Sequence, residues 1–177
     1  MPRIAELDLQ LLSPEQARVR DILMSGPRGG VGGPFKVLLH QPSLAETAQS
    51  LGLYLREKTS LPKRLIELAV LFETQYWCSE YPLHVHRRLA LEAGLDEAIV
   101  DAIGIGIIPA FVMKDEAALF SLLTELHDTK RVSDATFATA VQEIGELPVL
   151  DAVSLAGYYA LISMVANVYE LKPPLSA

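Results

Sequence analysis

The chain has 177 residues, of which 50% are hydrophobic and 21% are charged, and its formal net charge is −7. The acidic surplus, with a pI of about 5.1, disfavours nucleic acid and an anionic membrane surface as partners. The high apolar fraction excludes intrinsic disorder and favours a large core, a subunit interface or both. This length suits one domain, so we expect residues 1–177 to form a single domain.

Signals for helix starts and ends recur along the chain. A capping box at Ser13–Gln16 predicts a helix to about Ser25, and the glycine-rich segment Gly26–Pro34 predicts a flexible loop of the kind that covers a site. A second capping box, Ser43–Glu46, predicts a helix to about Glu57. Further helices are predicted at 62–77, 82–93, 97–105, 115–126, 133–144 and 148–171. Gly94 is expected to end the second of these and Asp96 to cap the third. Only the short apolar run 104–112 reads equally well as helix or loop, so the fold class is all-α.

The segment from Ala152 to Tyr169 contains 18 residues without a charge, which raises the question of a membrane span. Serine, tyrosine and asparagine lie inside it, Asp151 and Glu170 bound it, and no cluster of basic residues flanks it. We therefore expect a buried core helix without membrane contact.

Cys78 is the only cysteine, which excludes an intrachain disulfide and a multi-cysteine zinc site. Together with an amino-terminal stretch that does not read as a secretory signal, this predicts a cytoplasmic location. Cys78 is either a small buried hydrophobe or, with a lowered pKa near a helix start, a nucleophile.

A carboxylate inside an apolar helix is the strongest chemical signal. Glu67 lies within the predicted helix 62–77, and a hairpin with the next helix returns His86 toward it. A carboxylate facing an imidazole in an apolar pocket is a general acid–base pair, although a purely structural ion pair is an equally good interpretation. The segment between the two helices carries further polar or aromatic residues, namely Trp77, Cys78, Glu80, Tyr81 and His84.

Metal and phosphate sites are less well supported. His84 and His86 are two residues apart, so on a helix they point to nearly opposite faces and cannot share an ion. The glycine-rich segment lacks both the GxGxxG and the GxxxxGK[ST] pattern. His127 lies in a polar segment and is expected near the surface. We expect no metal and no cofactor.

The sequence resembles the carboxymuconolactone decarboxylase family. The resemblance rests on the run from Leu61 to Leu71, on Tyr81 and His86, and on the Glu67-to-His86 spacing. Flanking similarity, from Gly33–Gln41 through Leu155–Tyr159, extends it over nearly the whole chain.

This resemblance implies an alkylhydroperoxidase D-like helical fold with a central helical hairpin. It also implies a homo-oligomer, as a dimer, trimer or hexamer, with a site near a subunit contact. The peroxidase branch uses a CxxC motif four residues before the histidine, and those positions are Ser79 and Pro82 here.

We therefore predict a cofactor-free enzyme that performs acid–base chemistry on a small organic acid or carbonyl compound, by decarboxylation, isomerisation or lactone chemistry. His86 moves the proton, Glu67 orients and stabilises its imidazole, and Tyr81 donates a hydrogen bond to the developing oxyanion. The predicted substrate-binding residues are His84, Glu80, Trp77 and Cys78. The alternatives are hydroperoxide reduction by Cys78 with an external thiol, and a non-catalytic oligomeric binding protein.

Overall fold

A computed structural model describes residues 3–173, and within this range the protein is all-α. The helices are α1 (Pro14–Ser25), α2 (Pro34–Leu38), α3 (Pro42–Glu57), α4 (Lys63–Tyr76), α5 (Glu80–Glu92), α6 (Glu97–Gly104), α7 (Lys114–Thr129), α8 (Asp134–Ile144) and α9 (Glu146–Val168). Most of their buried apolar residues join one main core. A smaller cluster of Leu122, Ala140 and Val149 connects α7, α8 and α9.

Helix α4 runs through the middle of this core. Its residues 65–71 are all buried, and it packs against α5, α6, α7 and α9. A helix that is apolar all round requires neighbours on every side, which explains its central place. Glu67 and Glu73 are thereby placed in an apolar environment.

Helices α4 and α5 form the predicted central hairpin. The turn is made at Cys78, whose φ of 48° lies in the left-handed region, and the backbone N–H of Ser79 donates to the carbonyl of Thr74 at 2.8 Å. Helix α5 begins at Glu80 rather than at Pro82. Proline is tolerated there because backbone N–H groups of the first turn have no intrahelical partner.

The two predicted capping boxes have different outcomes. At α1, the Ser13 hydroxyl accepts from the Gln16 backbone at 3.2 Å, and the Gln16 side chain accepts from the Ser13 backbone at 3.0 Å. The second box is wrong, because Pro42 occupies the first helical position and α3 therefore begins before Ser43. Glu46 pairs instead with Arg18 at 2.6 Å.

The predicted loop 26–34 leads into the five-residue helix α2, which the sequence analysis missed. Downstream, Asp96 caps α6 through the backbone of Ala98, as predicted. Beyond α6, residues 105–112 form a loop rather than a helix.

Helix α9 has the length and composition to cross a membrane, but half of its most apolar stretch is buried inside the protein. Its inner face packs against α3, α4 and α8, as in a core helix. The outer face is exposed and also apolar.

Candidate active site

Glu67 and His86 face each other across the α4–α5 hairpin. His86 Nδ1 lies 2.6 Å from Glu67 Oε2, and the two residues are only 6% and 5% exposed. The predicted juxtaposition is therefore confirmed. Because a carboxylate oxygen accepts, Nδ1 carries the proton of this hydrogen bond, and in the neutral imidazole Nε2 keeps its lone pair.

Tyr159 of α9 completes this pair from the other side of the ring. Its hydroxyl lies 3.2 Å from His86 Nε2, and the two rings meet edge to face with centroids 5.1 Å apart. Burial raises the pKa of Tyr159, since the phenolate would be poorly solvated, so the hydroxyl stays protonated near neutral pH. The phenol can donate its proton to the Nε2 lone pair.

The pair opens onto a cavity of about 430 Å³, a volume suited to a small molecule. His86 and Tyr159 belong to its lining, and Tyr81 of α5 contributes a half-buried ring. The glycine-rich loop 26–34 forms part of the wall, as predicted for a loop at a site. The further lining residues that carry polar side chains are Arg28, Arg56, Arg88 and Tyr158.

Tyr81 is held against the glycine-rich loop. Gly33 has a φ of 52°, and a Cβ atom there would lie 2.3 Å from Cε1 of the Tyr81 ring. Glycine at this position therefore both allows the backbone turn and makes room for the aromatic ring.

Comparison with known structures identifies the fold. A protein from Ralstonia eutropha JMP134, described as an alkylhydroperoxidase AhpD core and an uncharacterized peroxidase-related protein, aligns with a TM-score of 0.80 at 17% identity, over 98% of this chain and 93% of that one. A peroxidase-related protein from Silicibacter sp. TM1040 aligns with a TM-score of 0.77 at 13% identity, over the same shares. The chain has an alkylhydroperoxidase D-like fold.

A third structure with this fold is a protein of unknown function from Agrobacterium tumefaciens, described as a candidate antioxidant defence protein AhpD. It aligns with a TM-score of 0.70 at 15% identity, over 82% of this chain and all of that one. No protein-family model matches the sequence, and no curated protein matches it. The resemblance predicted from the sequence is thus confirmed for the alkylhydroperoxidase D-like fold, which carries more than one chemistry.

The four predicted substrate-binding residues lie off the cavity that contains His86. His84 is exposed on α5, on the face opposite His86, and Glu80 is exposed and pairs with Lys172 at 2.9 Å. Cys78 is exposed at the turn, and Trp77 lines a different depression. The prediction thus requires correction for this cavity. Helix α5 turns one face toward it, which excludes Glu80 and His84, and Trp77 and Cys78 precede the helix.

Ser79 and Pro82 occupy the two positions where the peroxidase branch has the cysteines of its CxxC motif. Ser79 is fully buried, with its hydroxyl 3.5 Å from the carbonyl of Ser163, and Pro82 lines the cavity. Cys78, one residue before the motif, points to the surface instead.

A second glutamate–histidine pair lies on the other side of α4. Glu73 is 1% exposed, and its Oε1 is 2.8 Å from Nε2 of His127, whose Nδ1 lies 2.8 Å from the Leu123 carbonyl. His127 is thus half-buried rather than at the surface. Burial raises the pKa of Glu73, against the opposing effect of His127.

This second pair leaves polar atoms poorly satisfied. Within residues 3–173, the Glu73 oxygens and the indole Nε1 of Trp77 make no hydrogen bond of acceptable geometry. The same range contains no cluster of three His, Cys, Asp or Glu side chains suited to a metal ion.

Sequence reasoning missed Tyr159, Tyr158, Arg28 and Arg56 as site residues. The sequence predicts the two tyrosines only as part of a core helix and Arg28 only as part of a loop. The sequence signal that could have found Tyr158 and Tyr159 is a pair of adjacent phenols inside the uncharged stretch 152–169. A hydroxyl in such an apolar stretch requires a polar partner. No local pattern distinguishes Arg56 from other surface arginines.

Proposed function

We propose that the protein is a cofactor-free enzyme of the cytoplasm that moves a proton on a small organic acid or carbonyl compound. The observation that carries this proposal is the buried Glu67–His86 pair, joined at 2.6 Å, with His86 in the lining of a cavity. A purely structural pair would have no need of an adjoining cavity of about 430 Å³.

His86 acts as the general base and acid. Its Nε2 takes a proton from the carbon next to a carbonyl group, or returns one to that carbon after CO₂ has left. In both cases an enolate forms or is quenched while the imidazole gains or loses one proton. Glu67 accepts from Nδ1 throughout, and its charge stabilises the imidazolium.

Tyr159 links the protonation state of His86 to the oxyanion. In the resting site its hydroxyl donates to Nε2, and this hydrogen bond has to break before the Nε2 lone pair can take a proton from the substrate. Once Nε2 carries a proton, the phenol oxygen accepts instead, and the O–H is free to donate to the developing enolate. Tyr81 on the loop side of the cavity supplies a second hydroxyl for this role.

Decarboxylation, isomerisation and lactone chemistry at the carbon next to the carbonyl all pass through an enolate, so the same residues serve any of them. A lyase acting on a carboxylated substrate is the form of the proposal that agrees best with the family resemblance.

Hydroperoxide reduction is the second candidate, favoured by the peroxidase-related descriptions of the structural neighbours. Here the Cys78 thiolate would attack the hydroperoxide, releasing an alcohol and leaving a sulfenic acid, which an external thiol would reduce. The exposed position of Cys78 gives an external thiol access, but it separates the sulfur from the cavity at His86.

One experiment separates the two candidates. Small 2-oxo acids, β-oxo acids and carboxylated lactones are incubated with the enzyme in D₂O, and NMR follows C–H exchange and loss of CO₂. His86→Ala is expected to lower the rate by roughly 10²–10⁴-fold, the usual contribution of general acid–base catalysis. Cys78→Ser is the matched control and is expected to stay within a few-fold of wild type.

The hydroperoxide candidate is measured with tert-butyl hydroperoxide and dithiothreitol on the same variants. If Cys78→Ser abolished turnover there while His86→Ala had little effect on any reaction, the acid–base proposal would be overturned.

A further inference from the structure

The cavity at His86 contains two arginines that have no carboxylate partner. Six of the nine arginines of the chain form an ion pair with Asp or Glu. Within residues 3–173, Arg28, Arg56 and Arg131 form none, and only Arg131 of the three is fully exposed. In a chain with seven more acidic than basic residues, two half-buried cations without a counter-charge are unexpected.

Arg28 is fixed in place by its surroundings. Its guanidinium carbon stacks 3.9 Å from the centroid of the Phe35 ring, and Nε donates to the Gln49 side chain at 2.9 Å. Burial lowers the pKa of Arg28, yet a guanidinium stays charged at any physiological pH. No carboxylate of the described residues pairs with this guanidinium, and besides Gln49 only the neutral Tyr158 hydroxyl lies close to it, so the fork that binds an oxyanion has no anionic partner.

Arg56 of α3 lines the same cavity and makes no side-chain hydrogen bond within the described residues. The two guanidinium groups are close enough for their positive charges to repel each other. Such repulsion has to be offset, and a bound anion is the simplest group that offsets it.

The Tyr158 hydroxyl adds an unused donor beside them. Tyr158 is 4% exposed, and its hydroxyl lies close to the Arg28 guanidinium but makes no hydrogen bond of acceptable geometry within residues 3–173. Burial raises the pKa of Tyr158, with Arg28 and Arg56 opposing the rise, so the group remains an O–H donor. At Gly52 a Cβ atom would lie 2.4 Å from this oxygen, so the helix leaves room for the hydroxyl without satisfying it. A buried donor without an acceptor is costly unless a ligand supplies one.

We infer that Arg28, Arg56 and the Tyr158 hydroxyl form a subsite for the carboxylate of a small organic acid, in the same cavity as His86. This inference deepens the proposed function and rests on it for the role of the bound acid. The carboxylate anchors the molecule, and the remainder reaches the His86–Tyr159 side of the cavity. The proposed substrate is therefore an acid with a carbonyl or lactone group besides its anchoring carboxylate.

The test measures binding, so that its outcome does not depend on turnover. A panel of small aliphatic and aromatic carboxylates, such as succinate, 2-oxoglutarate and benzoate, is titrated into the protein by calorimetry, each beside its neutral amide and beside inorganic phosphate. Carboxylates are expected to bind more tightly than their amides. Arg28→Met or Arg56→Met is expected to weaken carboxylate binding by about 10- to 100-fold, the loss of a charge-assisted hydrogen bond.

Arg131→Met is the matched control, since it removes the same charge from an exposed site and is expected to leave binding unchanged. His86→Ala is expected to abolish proton transfer while keeping the carboxylate bound, which separates a failure of the chemistry from a failure of the subsite. If Arg28→Met does not fold, Arg56→Met carries the test.

Three results would overturn the subsite. One is that no carboxylate of the panel binds better than its amide at millimolar concentration. Another is that phosphate alone binds. The third is that Arg131→Met weakens binding as much as the cavity variants do.

Discussion

Two glutamates of α4 lie six residues apart, and each faces a histidine in the protein interior. Glu67 has its hydrogen bond to His86 and a cavity beyond it, whereas Glu73 faces His127 without a hydrogen bond of good geometry. The first pair adjoins a cavity, as the proposed acid–base function requires. In the second pair, the negative charge of the buried Glu73 carboxylate would be poorly stabilised, because its oxygens make no hydrogen bond of good geometry.

Glu73 therefore predicts how stability depends on pH. Because burial raises its folded-state pKa, the stability that the protonated carboxyl contributes is complete below the unfolded-state pKa and is lost as pH rises through the folded-state value. The loss begins above the ordinary glutamate pKa of 4.5. Glu73→Gln keeps the shape without the charge, so its free energy of unfolding relative to wild type is expected to increase as pH rises.

Urea unfolding over a series of pH values measures this difference. Glu143→Gln is the control, since that carboxylate is half-buried and outside any ion pair of the described residues. A gap between Glu73→Gln and wild type that does not change with pH would contradict the argument.

Contacts between residues that are close along the chain could be predicted from the sequence, whereas a contact between distant residues could not. Glu67 and His86 are 19 residues apart across one turn, so a single hairpin brings them together. Tyr159 reaches the same imidazole from 73 residues further on, and that contact depends on how α9 packs against α4 and α5. Because α9 is apolar on both faces, helical periodicity predicts neither which face is buried nor which side chain lies opposite it.

At the scale of elements, boundaries followed local chemistry where one signal acted alone. Gly94 ends α5 with a φ of 88°, as the sequence predicted, and Ser133 caps α8 through Thr136. Where two signals competed, as Pro42 and Ser43 do at α3, the proline determined the start. Helix α2 is too short for a periodic pattern to reveal it.

Where the glycine-rich loop joins α2, the contact between Gly33 and the Tyr81 ring is expected to hold the loop in place. Gly33→Ala places a methyl group against the Tyr81 ring in a left-handed backbone position. We expect a loss of about 2–4 kcal/mol in the free energy of unfolding, from the backbone strain together with the displaced ring. Because Tyr81 also lines the cavity, ligand binding there should weaken.

Gly94→Ala is the control that separates the backbone strain of a positive φ from the clash with the Tyr81 ring. It has a similar positive φ with no atom within 4 Å of the added carbon, so about 1 kcal/mol is expected from the backbone alone. Urea denaturation of both variants gives the comparison. Equal losses would show that Tyr81 is not held by the loop.

At the scale of the whole molecule, the outer face of α9 is an extended apolar surface without a partner in the described residues. Large apolar side chains are exposed along it at spacings of three and four residues, and the stripe consists of Leu147, Leu150, Leu161, Met164 and Val168. The small residues Ser154 and Gly157 fill the two middle positions of the same stripe and are also exposed. This spacing is typical of a helix that packs against another helix, so the inner face belongs to the core and the outer face favours a second copy.

We therefore predict a homo-oligomer, at least a dimer, that associates through α9. Light scattering is expected to give a multiple of 19.4 kDa for the wild type. Leu161→Glu introduces a charge into the centre of the stripe and is expected to shift the protein toward the monomer, because an unpaired charge is costly inside an apolar contact. Leu91→Glu changes a similarly exposed leucine on α5 and is expected to leave the mass unchanged. A mass of one chain for the wild type across a wide concentration range would contradict the prediction, and an oligomer that survives Leu161→Glu would place the contact on another face.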